Sequence, residues 1–204
     1  MKDLKKQEEM NLKFKDSLEG KFVNLRKVSI EDANDIYLWR TSESGKHLRH
    51  PENYNVDSQI DWIKSRKETE INYIIYSKDT DKKVGTIGIY DVNINDKIAN
   101  VGRLLLSEEY LKKSVPYGLE AMLILYSYVF REMNFFKITG DILGTNIDMF
   151  KLQKYLGMFQ EGYLTKHVVI NNKREDLYIM SIFYQDLEIY EKKINFLLKS
   201  FNTL

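Results

Sequence analysis

The sequence has no cysteine, only two prolines among its 204 residues, and no long apolar run. The missing cysteine excludes a disulfide framework, a thiolate metal site and a cysteine nucleophile. No segment has the length and apolarity of a signal-peptide core or of a membrane-spanning helix. This composition is typical of a reducing compartment, so we expect a cytoplasmic protein with no membrane partner.

The sequence also has almost no excess of positive or negative charge. The chain has 31 Lys and Arg against 30 Asp and Glu, which gives a net charge of +1. No overall field therefore attracts nucleic acid, and we expect no nucleic-acid partner. The chain does contain 43% hydrophobic and 13% aromatic residues, which is the composition of a globular protein with a core of its own.

The spacing of apolar residues predicts an α+β fold. Strands are predicted at 21–26, 73–76, 83–90, 101–106, 137–141, 163–170 and 176–184. Helices are predicted to begin at Ser29, to be capped by Asp57, and to cover 117–133 and 148–156. No Gly/Ser-rich linker or internal repeat divides the chain. We therefore expect a charged extension over 1–20, one domain over 21–187 and a C-terminal helix over 188–204.

Four segments carry a resemblance to a known family. They are Leu25-Arg26 with Ser29–Ala33, Val84–Gly88, Gly102–Ala121 and Asn146–Phe159. Together they resemble the Gcn5-related N-acetyltransferase (GNAT) superfamily over residues 21–187, and within it the branch of ribosomal-protein N-terminal and nucleotide-amino-sugar acetyltransferases. The resemblance implies a mixed, mostly antiparallel sheet flanked by helices and splayed between the strands near 101–106 and 137–141. It also implies acetyl-CoA as the co-substrate and no metal.

The segment before the helix at 117 is the expected pyrophosphate site. A pyrophosphate needs several N–H donors, and a loop entering a helix N-terminus offers free amides and the positive end of the helix dipole. Only Gly118 fits a glycine slot of the family, and Pro116 removes one amide donor. Lys112 and Lys113 then supply charge, or else only solvate the loop. The predicted cofactor-binding residues are Leu104, Leu105, Leu106, Lys112, Lys113, Ser114, Val115, Pro116, Tyr117, Gly118 and Asn146.

The resemblance implies that a substrate amine attacks the thioester of acetyl-CoA directly, in a ternary complex. A backbone N–H near 104–106 would steady the oxyanion. The family's usual acid and base positions hold Gln153 and Asn100 here, and neither side chain exchanges a proton readily. Deprotonating a lysine amine at neutral pH costs roughly 4 kcal/mol, but an α-amine only about 0.5 kcal/mol. An active enzyme is therefore expected to use an amine of low pKa. The alternative is a non-catalytic acyl-CoA-binding or regulatory protein.

A basic segment supplies the candidate substrate site. Trp39-Arg40-Thr41 resembles a tryptophan-arginine pair of the amino-sugar members, and the predicted substrate-binding residues are Arg40, His47, Arg49 and Arg103. They would bind phosphate or hydroxyl groups, which favours a nucleotide-linked amino sugar over a protein N-terminal amine. The alternative is an ordinary solvated loop. His47 and His50 lack a third metal ligand, and the terminal segments are candidates for a homodimer contact.

Overall fold

Eight strands form one mixed sheet in the computed structural model, which describes residues 13–48, 51, 53–111, 116–170 and 172–201. The strands are β1 (Ser17–Glu19), β2 (Val23–Lys27), β3 (Ile71–Ser77), β4 (Lys83–Asn93), β5 (Ile98–Leu106), β6 (Lys137–Leu143), β7 (Phe159–Ile170) and β8 (Lys173–Phe183). Their order across the sheet is β1-β2-β3-β4-β5-β6-β8-β7. Every neighbouring pair is antiparallel except β5 and β6. This confirms the predicted α+β fold.

Six α-helices lie between and after these strands in the described ranges. They are α1 (Ala33–Thr41), α2 (Val56–Lys64), α3 (Glu108–Leu111), α4 (Tyr117–Ser127), α5 (Ile147–Leu156) and α6 (Leu187–Ser200). The expected cap of α2 at Asp57 is wrong, because Asn55 caps this helix by accepting from the Ser58 amide at 2.9 Å. The helix expected over 117–133 changes at Tyr128 into a π-helical turn. None of the helices described is long and apolar enough to span a membrane.

The sheet opens between its two parallel strands. β5 and β6 pair only from Ile98 opposite Lys137 to Asn100 opposite Thr139. Both strands continue beyond the last of these pairs without bonding to each other. This opening confirms the predicted splay, and it leaves a gap in the middle of the sheet.

A β-bulge lies in β5 beside this gap. The register between β4 and β5 shifts between Thr86 and Gly88, so that Arg103 and Leu104 together face Ile87. Arg103 has a left-handed backbone with φ 56°, the conformation of the first residue of a G1-type bulge. The bulge interrupts the backbone ladder within the segment that the sequence assigned to the oxyanion.

Two buried carboxylates fix helices to the sheet. Asp32, at the start of α1, is fully buried and lies 2.9 Å from the Arg26 guanidinium and 2.8 Å from the Lys83 ammonium. Burial alone would raise the pKa of Asp32, but Lys83, Ser29 and Arg26 outweigh it and lower the pKa. In α4, Glu120 accepts from three consecutive backbone amides, those of residues 21–23, at 2.6–2.7 Å. Each anchor holds one helix of the candidate site in place.

Candidate active site

The gap between β5 and β6 is a cavity, called here the strand-gap cavity. Its walls are residues 101–104 of β5 and residues 140–143 of β6, closed by side chains of α4 and α5. Four of the seven methionines line it, namely Met122, Met149, Met158 and Met180. Thioethers are flexible and polarisable, so this lining adapts to a long, narrow ligand.

Gln153 faces this cavity from α5 and is 7% exposed. Its amide nitrogen lies 3.2 Å from the Met122 sulfur, whereas its carbonyl oxygen accepts no hydrogen bond from any described residue. A buried acceptor without a donor costs about 1–3 kcal/mol. The side chain is therefore suited to accept a hydrogen bond from a ligand in the cavity.

Two ionisable side chains, Tyr90 and Asp141, line the strand-gap cavity. Asp141 was not among the site residues predicted from the sequence. The side chain of Asp141 is exposed on β6, and the desolvation that its carboxyl still experiences beside the gap, together with the neighbouring Asp91 carboxylate, raises its pKa against a smaller opposing effect of His167. Burial, followed by the charge of Asp141, raises the pKa of Tyr90 to about 12. Asp141 is thus a carboxylate with increased basicity beside the gap, a property that favours a general base.

Asn100 lies outside this cavity, at the last pair of β5 and β6. It donates to the Asp91 carboxylate at 3.2 Å and accepts from the Thr139 hydroxyl. A carboxamide cannot take up a proton at neutral pH. The contacts of Asn100 instead hold Asp91, one of the groups that raise the pKa of Asp141.

A second depression, the helix-start groove, continues from the cavity along the start of α4. Leu104, Leu105 and Leu106 form one side, and Pro116, Tyr117 and Gly118 form the other. Asn146 lines both the groove and the cavity, and its side chain also caps α5. The structure therefore brings together seven of the predicted cofactor-binding residues. Lys112, Lys113, Ser114 and Val115 lie outside the described residues.

The start of α4 has the properties of an anion site. Pro116 is its N-cap, and the amides of the first turn have no carbonyl partner within the helix. A side chain added at Gly118 would lie 3.4 Å from Leu104 and 3.5 Å from Leu106. These are ordinary van der Waals distances, so a small side chain would fit here and would fill space beside the first turn of α4.

A third depression, the helix-pair cavity, lies between α1, α2 and the sheet. It has a volume of about 570 Å³. The polar and aromatic residues on its wall are Arg40, Tyr54, Ser58, Gln59, Trp62, Asn72, Thr86 and Arg103. Arg103 also lines the strand-gap cavity, so the two spaces meet at this residue.

The predicted substrate residues are divided between these spaces. Arg40 and Arg103 meet in the helix-pair cavity, whereas His47 lies on the strand-gap cavity and the helix-start groove. Arg49 and His50 lie outside the described residues. Gln59, Trp62 and the other α2 residues on this wall were not selected from the sequence.

Arg103 is held by a network that the sequence did not reveal. Its guanidinium lies 2.9 Å from Glu70 and 3.1 Å from the Asn72 side-chain oxygen. It also lies over the rings of Tyr90, at 4.2 Å, and Trp62, at 5.4 Å. These contacts hold the planar guanidinium of Arg103 in one orientation before any ligand binds.

Comparison with known proteins agrees with this geometry. Residues 23–159 match the family model described as the acetyltransferase (GNAT) domain. The chain therefore belongs to the GNAT acetyltransferase family, whose members use acetyl-CoA, and it is an N-acetyltransferase. No curated protein sequence matches the chain.

Solved structures of low sequence identity share the fold. A GCN5-related N-acetyltransferase from Brucella melitensis has a TM-score of 0.75 at 14% identity, covering 88% of this chain and 83% of that one. A chimera of the spermidine N-acetyltransferase SpeG from Vibrio cholerae and hSSAT has a TM-score of 0.73 at 16% identity, covering 82% of this chain and 99% of that one. A mutant of the Vibrio cholerae enzyme has a TM-score of 0.70 at 16% identity, with coverages of 81% and 95%.

Proposed function

We propose that this enzyme transfers an acetyl group from acetyl-CoA to a small-molecule amine, with the two substrates in separate spaces that meet at Arg103. The observation that carries this proposal is that Arg103 lines both the strand-gap cavity and the helix-pair cavity. A reaction in a ternary complex needs two such neighbouring spaces. The acceptor amine would lie in the helix-pair cavity.

The residues of the groove and the strand-gap cavity fit acetyl-CoA. The first-turn amides of α4 would bind pyrophosphate. The Gln153 carbonyl, which has no donor among the described residues, would accept from an amide of the pantetheine arm. When bound, the cofactor supplies an acetyl group activated as a thioester. The bulge at Arg103 and Leu104 interrupts the ladder between β4 and β5, and a backbone N–H group that it frees would steady the oxyanion.

Asp141 is the base that we propose for this reaction. Because desolvation and the neighbouring Asp91 carboxylate raise its pKa, it would accept a proton from the substrate ammonium more readily than an ordinary aspartate. Gln153 and Asn100, at the family's acid and base positions, would position groups without exchanging protons. A substrate amine of low pKa remains the expectation.

The nucleotide-linked amino sugar is the leading candidate acceptor, ahead of a protein N-terminal amine. The SpeG structures are named for spermidine, a polycation. Here two guanidinium groups, Arg40 and Arg103, line the acceptor space, and no carboxylate does so among the described residues. Like charges repel, so this wall disfavours a polyamine.

The first test is a thermal-shift titration with acetyl-CoA, CoA and ADP, followed by detection of free thiol with a panel of amines. A ligand that binds only the folded state raises the melting temperature according to its concentration and Kd. We expect a shift with acetyl-CoA and thiol release with at least one amino sugar. Binding without thiol release for any amine would support the non-catalytic alternative. No shift at saturating acetyl-CoA would overturn the proposed cofactor site.

A further inference from the structure

The proposed base and the proposed acceptor space do not coincide. Asp141 lines the strand-gap cavity but not the helix-pair cavity, in which the acceptor amine would lie. A side chain takes a proton directly only from a group within hydrogen-bond reach, and otherwise needs a bridging group. Because the two spaces meet at Arg103, a bridge between this point and Asp141 would connect the amine with its base.

Tyr90 of β4 lies at this meeting point. The Arg103 guanidinium is 4.2 Å from the centre of its ring, and its side chain lines the strand-gap cavity together with Asp141. Its hydroxyl makes no hydrogen bond to any residue that the structure describes. A phenol can accept one hydrogen bond while it donates another, so this hydroxyl can bind a group on each side.

Gly102 of β5 makes room for the Tyr90 hydroxyl. A side-chain carbon added at Gly102 would lie 2.8 Å from the Tyr90 oxygen, and the three atoms nearest to that carbon all belong to Tyr90. The last pair of β5 and β6 joins Asn100 to Thr139, and two residues further along the strands are Gly102 and Asp141. The Tyr90 hydroxyl thus extends from β4 over β5 toward the strand that carries Asp141.

The ionisation of Tyr90 fits a bridging role. Burial, followed by the negative charge of Asp141, raises its pKa to about 12, against a smaller opposing effect of Arg103. The phenol therefore stays protonated at neutral pH. It has a proton to give to a carboxylate and a lone pair to accept a proton from an amine.

We propose that Tyr90 is a catalytic residue that relays a proton from the acceptor amine to Asp141. This proposal rests on the proposed function, because it adds a residue to the same site. The substrate ammonium gives a proton to the Tyr90 oxygen while the hydroxyl proton passes to the Asp141 carboxylate. One O–H bond of Tyr90 forms as the other breaks, so the tyrosine stays neutral. The nitrogen gains the lone pair that attacks the thioester, and Asp141 then returns its proton to solvent.

Tyr90→Phe tests the relay, since it keeps the ring beside Arg103 and removes only the hydroxyl. Thiol release from acetyl-CoA is followed with a nucleotide-linked amino sugar, glucosamine and ethanolamine, and the variants are compared on the amine that the wild type uses best. We expect kcat to fall by about 10²-fold or more and the acetyl-CoA thermal shift to be retained. Tyr184→Phe, at a residue 54% exposed and outside the three depressions, is the matched control and should keep wild-type turnover.

Gly102→Ala tests where the hydroxyl acts. The added methyl would displace the Tyr90 oxygen, so kcat should fall nearly as far as in Tyr90→Phe. In the double variant with Tyr90→Phe the same methyl meets only ring carbons, at 3.4 Å and 3.6 Å, and should reduce kcat by less than about a further threefold. An alanine that costs as much beside phenylalanine as beside tyrosine would contradict a relay placed over Gly102.

The pH dependence separates a relay from a packing effect. Below the pKa of the acceptor the amine is mainly protonated and needs the relay, whereas above this pKa the free amine predominates. The loss of kcat/KM in Tyr90→Phe should therefore shrink as the pH rises through the pKa of the acceptor. A loss that stays constant over this range would show that the hydroxyl acts only through packing, and would overturn the relay.

Failure of the proposed function would give a different pattern. If the wild type binds acetyl-CoA but releases thiol with no amine, the proposed acetyl transfer is wrong and the relay falls with it. If the wild type and folded Tyr90→Phe release thiol at the same rate, acetyl transfer stands and the relay alone is wrong.

Discussion

The two cavities that meet at Arg103 are built in different ways. The strand-gap cavity exists because two parallel strands separate after three residue pairs, so its position is set by the backbone. Four methionines make its lining flexible. The helix-pair cavity is instead defined by side chains, with a buried amide, two guanidinium groups and aromatic rings on its wall.

Because they are built differently, the strand-gap cavity is expected to be common to proteins of this fold, and the helix-pair cavity is expected to differ between them. A gap made by strand geometry survives large changes of sequence, which agrees with TM-scores of 0.70–0.75 at only 14–16% identity. A wall made by side chains changes with each substitution. We therefore expect the donor side to follow the family and the acceptor side to specify this enzyme.

The largest effect is expected from Asp141→Asn, which removes a carboxylate from the strand-gap cavity. If Asp141 is the base, kcat should fall by about 10²–10⁴-fold, while the thermal shift by acetyl-CoA is retained. Since the pKa of Asp141 is raised, the acid limb of kcat/KM should lie above the pH range of an ordinary aspartate, near 3.9.

Asp91→Asn provides the matched control for this pH profile. It removes a carboxylate that raises the pKa of Asp141, so the acid limb should move to lower pH while turnover persists. An unchanged kcat in Asp141→Asn would show that another group accepts the proton.

The same contrast explains what could be predicted from the sequence. Strands with alternating or continuous apolar residues, such as 73–76 and 101–106, were found where predicted. β1 was missed because its three residues include one apolar side chain, Leu18. The residues of the helix-start groove could be predicted because short sequence motifs indicated the fold, and the fold brings these residues together. Asp141 was missed because a single aspartate in a strand looks like any solvent-facing residue.

The acceptor wall was harder to predict, for a physical reason. α2 has nine residues, and its large apolar side chains are Ile60, Trp62 and Ile63. The structure buries Gln59 instead and leaves these three only half-buried. Which face of a short helix is buried depends on tertiary contacts such as the hydrogen bond between Tyr54 and Gln59. Helical propensity and apolar spacing do not specify such contacts.

A smaller effect, on stability, is expected from Asp32→Asn, which removes the buried ion pairs at the start of α1 beside the helix-pair cavity. The change leaves Arg26 and Lys83 without their buried partner, so the free energy of unfolding at pH 7 should fall by about 3 kcal/mol. Because the pKa of Asp32 is lowered on folding, its contribution is present above the ordinary pKa and is lost as the pH falls through the lowered one. Urea unfolding at pH 7 and at decreasing pH measures this difference.

Asp35→Asn is the control for that experiment. Asp35 also contacts Lys83, at 2.7 Å, but its side chain is 38% exposed, so its removal should cost less than about 1 kcal/mol. Since Asp32 precedes the helix that carries Arg40, folded Asp32→Asn should raise KM for the amine and leave acetyl-CoA affinity unchanged. Weaker acetyl-CoA binding in folded Asp32→Asn would show that the helix-pair cavity and the acetyl-CoA site are not independent.

The smallest effect is expected from Gln153→Met, and its two parts have opposite signs. Methionine keeps the shape but removes the buried carbonyl that has no donor, so the melting temperature without ligand should stay the same or rise. If that carbonyl accepts a bond from the pantetheine arm, acetyl-CoA should bind about three- to tenfold more weakly. Calorimetry measures the acetyl-CoA affinity, and thermal unfolding measures the stability without ligand.

Gln160→Met, at an exposed position of β7, is the control and should change neither quantity. A more stable variant with unaltered acetyl-CoA affinity would show that the Gln153 carbonyl, which has no donor among the described residues, contributes nothing to acetyl-CoA binding.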